Sequence, residues 1–193
     1  MLELVKKGLV LFMITAVTAL LLGFVNVITK DVIEDNQLVS KNETMCVVLS
    51  GGSDLAFAEG VETGNEDGVT EYFEATSASG VYGYAITSVT KGYGGDLEVL
   101  VGINMSGVIE GVKVTRHSET PGLGAHASDD EFSDQYKGKS EKLTVTKGAN
   151  PSENEIAAIT SATITSKAVT EAVNAAIEFF NAELAGLQEG GAK

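Results

Sequence analysis

Thr160, Ser161, Thr163, Thr165 and Ser166 place a cluster of hydroxyls within Ile159–Lys167, immediately ahead of a strongly helical pattern. A helix start carries unpaired N–H groups and the positive end of the dipole, which makes it a ready site for an anion. Two readings of the cluster are open. Thr163 or Thr165 caps the helix, or the hydroxyls and amides gather as donors around a phosphate ester. Capping accounts for one hydroxyl and leaves the others unexplained.

Two glycine-rich segments stand out as well. In the run from His117 to His126, Pro121-Gly122 and Gly124 force a tight backbone that permits close approach and displays Leu123 as its one large apolar side chain. An ordinary Pro-Gly turn is the simpler reading. The spacing of the two histidines matches no standard zinc pattern and neither has a cysteine partner, so no metal site is expected. Lys91-Gly-Tyr-Gly-Gly95 lacks the Lys-Ser/Thr ending of a P-loop and the spacing of a dinucleotide fingerprint. By itself it reads as a hairpin turn. Cys46 is the only cysteine, which excludes an internal disulfide and a cysteine-ligated iron–sulfur cluster within the chain. It reads as a small buried residue on a helix.

The elements that position these segments follow from periodicity. Tyr72–Thr76, Val81–Val89, Leu97–Asn104 and Val108–Thr115 carry strand patterns, with Met105-Ser-Gly107 turning between the last two. A mostly antiparallel sheet is expected. Ile164, Ala168, Val169, Ala172, Val173, Ala176, Ile177, Phe180 and Leu184 recur at helical spacing and should pack on that sheet, with Lys167, Glu171, Asn174, Glu178 and Asn181 outward. Gly186 and then Gly190-Gly191 should end the helix in a frayed tail. A short helix capped by Ser128 is expected over Ser128–Tyr136. Ser53–Thr70, acidic and glycine-containing, reads as a surface loop.

The N-terminal part has another character. Gly8–Thr29 is a run of 22 residues without a charge; as a helix at ~1.5 Å per residue it is about 33 Å long, enough to cross a bilayer core of about 30 Å. It exceeds a secretory h-region of about 7 to 15 residues, and no A-x-A site follows, so a retained anchor is expected rather than a cleaved signal. Lys6 and Lys7 precede the run and Asp31, Glu34 and Asp35 follow it, which leaves the N-terminus cytoplasmic and the remainder outside in a single pass. Asp31–Leu49 reads as a membrane-proximal helix ending at Gly51-Gly52. Residues 31–193 hold 10 basic and 26 acidic side chains, a net charge of −16. Nucleic acid and anionic lipid are poor partners for that surface. The expected organisation is an anchor over 1–30, a membrane-proximal helix and acidic loop over 31–70, and a folded domain over 71–193.

Together the anchor, Gly92-Tyr-Gly-Gly95, Glu119-Thr-Pro-Gly-Leu-Gly124 and the hydroxyl cluster resemble a family: the membrane-anchored flavoprotein subunits typified by RnfG of the Rnf ferredoxin:NAD oxidoreductase, with NqrC of the sodium-pumping quinone reductase a relative. The chain's short length and compact loops favour the former. The resemblance implies an α+β fold, one transmembrane helix followed by an extracytoplasmic FMN-binding domain whose mostly antiparallel sheet is packed by helices. It also implies FMN held as a phosphoester on the last residue of Thr160-Ser161-Ala162-Thr163, installed from FAD by a flavin transferase. Ala157 stands where the family has an Asp, and Ser161 where it has a glycine. Thr165 and Ser166 join the phosphate site by this resemblance, while Glu119, Thr120, Pro121, Gly122, Leu123 and Gly124 lie by the isoalloxazine ring. The implied role is electron transfer among other membrane subunits of an ion-translocating complex, with no side chain acting as acid or base and no independent turnover. A flavin-free membrane-tethered scaffold, with Thr163 as a plain cap, is the competing reading.

Overall fold

The structure is a computed structural model describing residues 2–64, 68–148 and 150–188. The tail with Gly190-Gly191 lies outside the described residues. The chain divides into two compact units, Met1–Asn42 and Glu43–Lys193.

Helix α1 runs over Leu2–Val48, so the expected anchor and the membrane-proximal helix form one continuous element that stops just short of Gly51. Within it Lys6–Phe24 is 19 residues long and apolar enough to cross a membrane. Of residues 25–42 only the helical backbone is described.

The second unit is built on an antiparallel sheet. Strands β3 (Val69–Ser77), β4 (Gly80–Lys91), β5 (Asp96–Asn104) and β6 (Ile109–Arg116) pair in chain order. Two short strands, β1 (Ala56–Phe57) and β2 (Val61–Glu62), both pair with β3. The expected loop over Ser53–Thr70 is therefore a sheet edge in part; two-residue strands carry too little periodicity to be read from sequence. Farther on, β7 (Thr144–Thr146) and β8 (Glu155–Ala157) form a separate parallel pair.

Side chains alternate along the strands, so the sheet carries a core on each face. Val99, Val101 and Ile103 of β5 join Ile86 of β4 and the apolar stripe of helix α3 (Thr163–Phe179), where Val169, Ala172, Val173 and Ala176 are buried. The α3 chain continues through a π turn over Phe180–Leu184 and a 3-10 turn over Ala185–Gln188, passing the Gly186 stop expected from sequence. On the opposite face Leu100, Ala85, Ala75 and Phe73 pack against Met45, Val48 and Leu49 from the end of α1. That approach is close because Gly102 and Gly111 are register partners on β5 and β6, and a Cβ on either would strike the Val48 backbone. Just beyond α1, Glu110 accepts from Ser50 N (2.7 Å), the Tyr82 hydroxyl (3.1 Å) and Asn104 Nδ2 (3.1 Å). Burial and the Glu110 carboxylate together hold the Tyr82 phenol above its ordinary value.

Three local expectations are corrected. The segment Ser128–Tyr136 is a 3-10 turn over Gly124–Ser128, a single α turn, α2 (Asp130–Ser133), and a second 3-10 turn to Tyr136; Asp129 occupies the cap position, and the buried Ser128 Oγ has no partner among the described residues. Cys46 is half-buried rather than buried. Ile164, expected on the packed face of the last helix, is 56% exposed.

Candidate functional site

Three connections meet at one end of the sheet. The turn from β4 to β5 is closed by Gly92 N–H to Gly95 O (2.8 Å). At the end of β6 the chain enters Thr120-Pro121-Gly122-Leu123, a turn with Leu123 N–H donating to Thr120 O (3.1 Å) and Gly122 at φ 78°. Proline at the first corner and a positive-φ glycine at the second define a type II turn. The third connection is the start of α3 itself.

Glu119 ties these three together. It is only 6% exposed. Its Oε1 accepts from the backbone N–H of Tyr93 (2.8 Å) and Gly94 (3.1 Å), and its Oε2 accepts from the Thr165 hydroxyl (2.8 Å). The Glu119 N–H in turn donates to His117 Nδ1 (3.2 Å). Glycine is required around this carboxylate for want of space: a Cβ at Gly92 would strike Glu119 Oε1, one at Gly124 would strike Glu119 Oε2, and one at Gly94 would strike the Ser118 carbonyl.

The hydroxyl cluster is divided by use. Thr165 serves Glu119, as above. Ser166 Oγ donates to Ala162 O (3.0 Å) and accepts from Ile159 N–H (3.0 Å), locking the bend into α3. Thr170, one turn on, donates to Ser166 O (2.9 Å) and so accepts from the Tyr136 hydroxyl (2.8 Å), whose burial pushes the phenol well above its ordinary range. Thr160 and Ser161 are exposed, and Ser161 sits at φ 64°. Thr163 remains, at the first position of α3, half-buried and with no hydrogen bond to its hydroxyl among the described residues. The capping reading is corrected here: Ala162 holds the cap position, and neither Thr163 nor Thr165 caps the helix.

Thr163 faces a cleft of about 480 Å³ lined by Tyr93, Glu119, Thr120, Leu123, Ser161, Ala162, Thr163, Ile164 and Thr165, within the usual ~300–1,000 Å³ of small-ligand sites. The first i→i−4 bond of α3 is Ser166 N–H to Ala162 O, so the N–H groups of Thr163, Ile164 and Thr165 precede the helical ladder. Leu123 (43% exposed), Ile164 and Tyr93 (72% exposed) supply apolar surface. Amide donors at one end with apolar and aromatic side chains at the other suit a phosphate joined to a flat ring, the composition of FMN. The lining holds no lysine or arginine, which leaves a bound phosphate dependent on the amides and the helix dipole.

Of the residues singled out from sequence, Thr163, Ser161, Ala162, Thr165, Glu119, Thr120 and Leu123 line the cleft. Thr160, Ser166, Pro121, Gly122 and Gly124 are outside its lining and shape the turns around it. Both carboxylate oxygens of Glu119 are engaged by the protein. Tyr93 and Ile164 are additions; the Gly-Tyr-Gly-Gly turn carried the signal for Tyr93, whereas Ile164 was hidden by its agreement with the helical stripe. Among the described residues no group of His, Cys, Asp and Glu is arranged to hold a metal.

Fold and site define a flavin-binding domain of the FMN type, and an FMN-binding domain model matches residues 92–178, the stretch that holds all three connections. The RnfG N-terminal region model matches residues 1–48. The chain is 40% identical to the RnfG component of the Na(+)-translocating ferredoxin:NAD(+) oxidoreductase complex of Acetobacterium woodii, over 91% of this chain and 90% of that one. It is 34% identical to the corresponding component of the proton-translocating ferredoxin:NAD(+) oxidoreductase complex of Clostridium ljungdahlii, over 84% and 83%. The chain belongs to the RnfG family. The solved NqrC of Shewanella oneidensis shares its fold, with a TM-score of 0.53 and 23% identity over 62% of this chain and 61% of that one. The apolar helix and the relatives together make this a membrane-associated flavoprotein.

Proposed function

We propose that this chain is the RnfG component of an Rnf-type ferredoxin:NAD oxidoreductase complex and relays electrons through FMN held as a phosphoester on Thr163. The observation that carries the attachment is the division of the hydroxyl cluster. Thr165 and Ser166 are committed to internal hydrogen bonds, and Thr163 alone combines a free hydroxyl, a place in the cleft and a place on the first turn of α3. In the attachment step Thr163 Oγ1 attacks the FMN-side phosphorus of FAD, the pyrophosphate bond breaks, AMP leaves with the electron pair, and the threonine proton is released. A flavin transferase supplies the base for that step.

Once bound, FMN supplies the redox chemistry and the chain supplies its position. The N–H groups of Thr163, Ile164 and Thr165 meet the phosphate oxygens, while Leu123 and Ile164 cover part of the ring and exclude water. No side chain has to act as acid or base, and no turnover is expected from the isolated chain. The charge bias across α1 puts the N-terminus in the cytoplasm and the flavin domain outside, anchored by one pass. Ion passage belongs to partner membrane subunits, because Gly8–Thr29 carries no charged residue.

The test compares the full chain with Thr163→Val, each co-expressed with a flavin transferase, by fluorescence of the denatured band and by intact mass. The wild type should fluoresce and carry the mass of one FMN ester, and the variant should be dark. A fluorescent variant moves the ester to another hydroxyl. A dark wild type beside an active transferase removes the covalent reading.

A further inference from the structure

The buried carboxylate of Glu119 is a cost that architecture alone does not explain. A negative charge at 6% exposure lines a cleft which, on the reading above, receives an anionic phosphate and a ring that gains electrons. No ion pair involves Glu119 among the described residues; all three of its partners are neutral donors. A glutamine could make the two loop contacts with the same shape and no charge.

From this placement we infer that Glu119 is a positioning residue with a second task, holding the reduction potential of the bound flavin low. Uptake of two electrons and one proton leaves the ring one unit more negative, and a fixed carboxylate in the same poorly solvated cleft opposes that change. The backbone donors of Tyr93 and Gly94 and the Thr165 hydroxyl keep the carboxylate stationary, so its field is constant through the redox cycle. The aromatic turn and the start of α3 are bound to the same two oxygens, which makes the charge a fixed part of the cleft rather than a mobile surface group.

The inference rests on the FMN reading, and its test separates the two. Full-length wild type, Glu119→Gln and Glu119→Asp are co-expressed with the flavin transferase, checked for the ester by intact mass, and titrated with dithionite and mediator dyes while flavin absorbance is followed. In Glu119→Gln the ratio of reduced to oxidised flavin at a fixed applied potential should rise about tenfold, as expected for loss of one charge within about 10 Å at an effective dielectric near 20. Glu119→Asp keeps the charge and shortens its reach, and should stay within about twofold of wild type. A loaded Glu119→Gln that titrates like wild type overturns the inference and leaves the FMN reading standing. A tenfold rise in Glu119→Asp, with or without a loaded glutamine variant, assigns the effect to loosened loops and equally overturns it. A wild type without flavin ends both.

Discussion

Ser161, at φ 64°, occupies a backbone region that costs an L-residue roughly 1–2 kcal/mol and a glycine almost nothing. Its side chain is exposed and makes no hydrogen bond among the described residues, so little is lost with it. The glycine that the family resemblance places here thus has a physical reason: the chain must turn left-handed one residue before the Ala162 cap. Ser161→Gly gives back about 0.4–1 kcal/mol through the greater freedom of the unfolded glycine, for a net gain of about 0.5 kcal/mol or somewhat more. Thermal melting of the detergent-solubilised chain should rise by about 1–3 °C, and an unchanged or lower midpoint would show that the strain is relieved elsewhere. The presence of the hydroxyl cluster was legible in sequence, as was the likeness of its pattern to a phosphate site. Which hydroxyl stays free was not, because Thr165 is removed from the set by Glu119, 46 positions earlier.

Among elements, the four long strands and α3 were legible because each repeats its period often enough to be counted, whereas β1, β2, β7 and β8 are two or three residues long. The packing of the end of α1 left a subtler mark, the glycines inside Leu100-Val-Gly102 and Glu110-Gly111. A glycine within a strand commonly marks a place where another backbone comes close. Here Gly102 and Gly111 lie side by side beneath Val48. Gly102→Ala puts its Cβ against the Val48 carbonyl, which as backbone cannot swing aside. The expected cost is about 1–3 kcal/mol or more, the range for overpacking a tight interior, read as a lower urea midpoint at unchanged slope. Flavin attachment should survive where the chain folds, since this contact lies on the face of the sheet opposite α3. A melting curve identical to wild type would mean that α1 does not seat on these glycines.

At the scale of the molecule, the sequence draws its most visible boundary where the apolar run ends near residue 30, yet the division into compact units falls at Asn42 and Glu43. The difference has physical content. Met45, Val48 and Leu49 belong to the same helix as the apolar run, but each is 1% exposed and they complete the core under Phe73, Ala75, Ala85 and Leu100. The last turn of α1 is therefore part of the flavin domain, and two truncations should behave differently. A fragment starting at Glu43 keeps the core whole and should be soluble, melt cooperatively and accept flavin from the transferase. One starting at Ser50 lacks three large buried side chains, each worth about 2–5 kcal/mol by analogy with truncation to alanine. Together they rival the ~5–15 kcal/mol that holds a domain folded. The shorter fragment should aggregate or melt without cooperativity, even though the sheet, α3 and every residue lining the cleft are retained. Circular dichroism melting and intact mass of the two fragments decide it: if both melt within a few degrees and both carry FMN, the end of α1 is only a tether, and the flavin site needs no support from that side of the sheet.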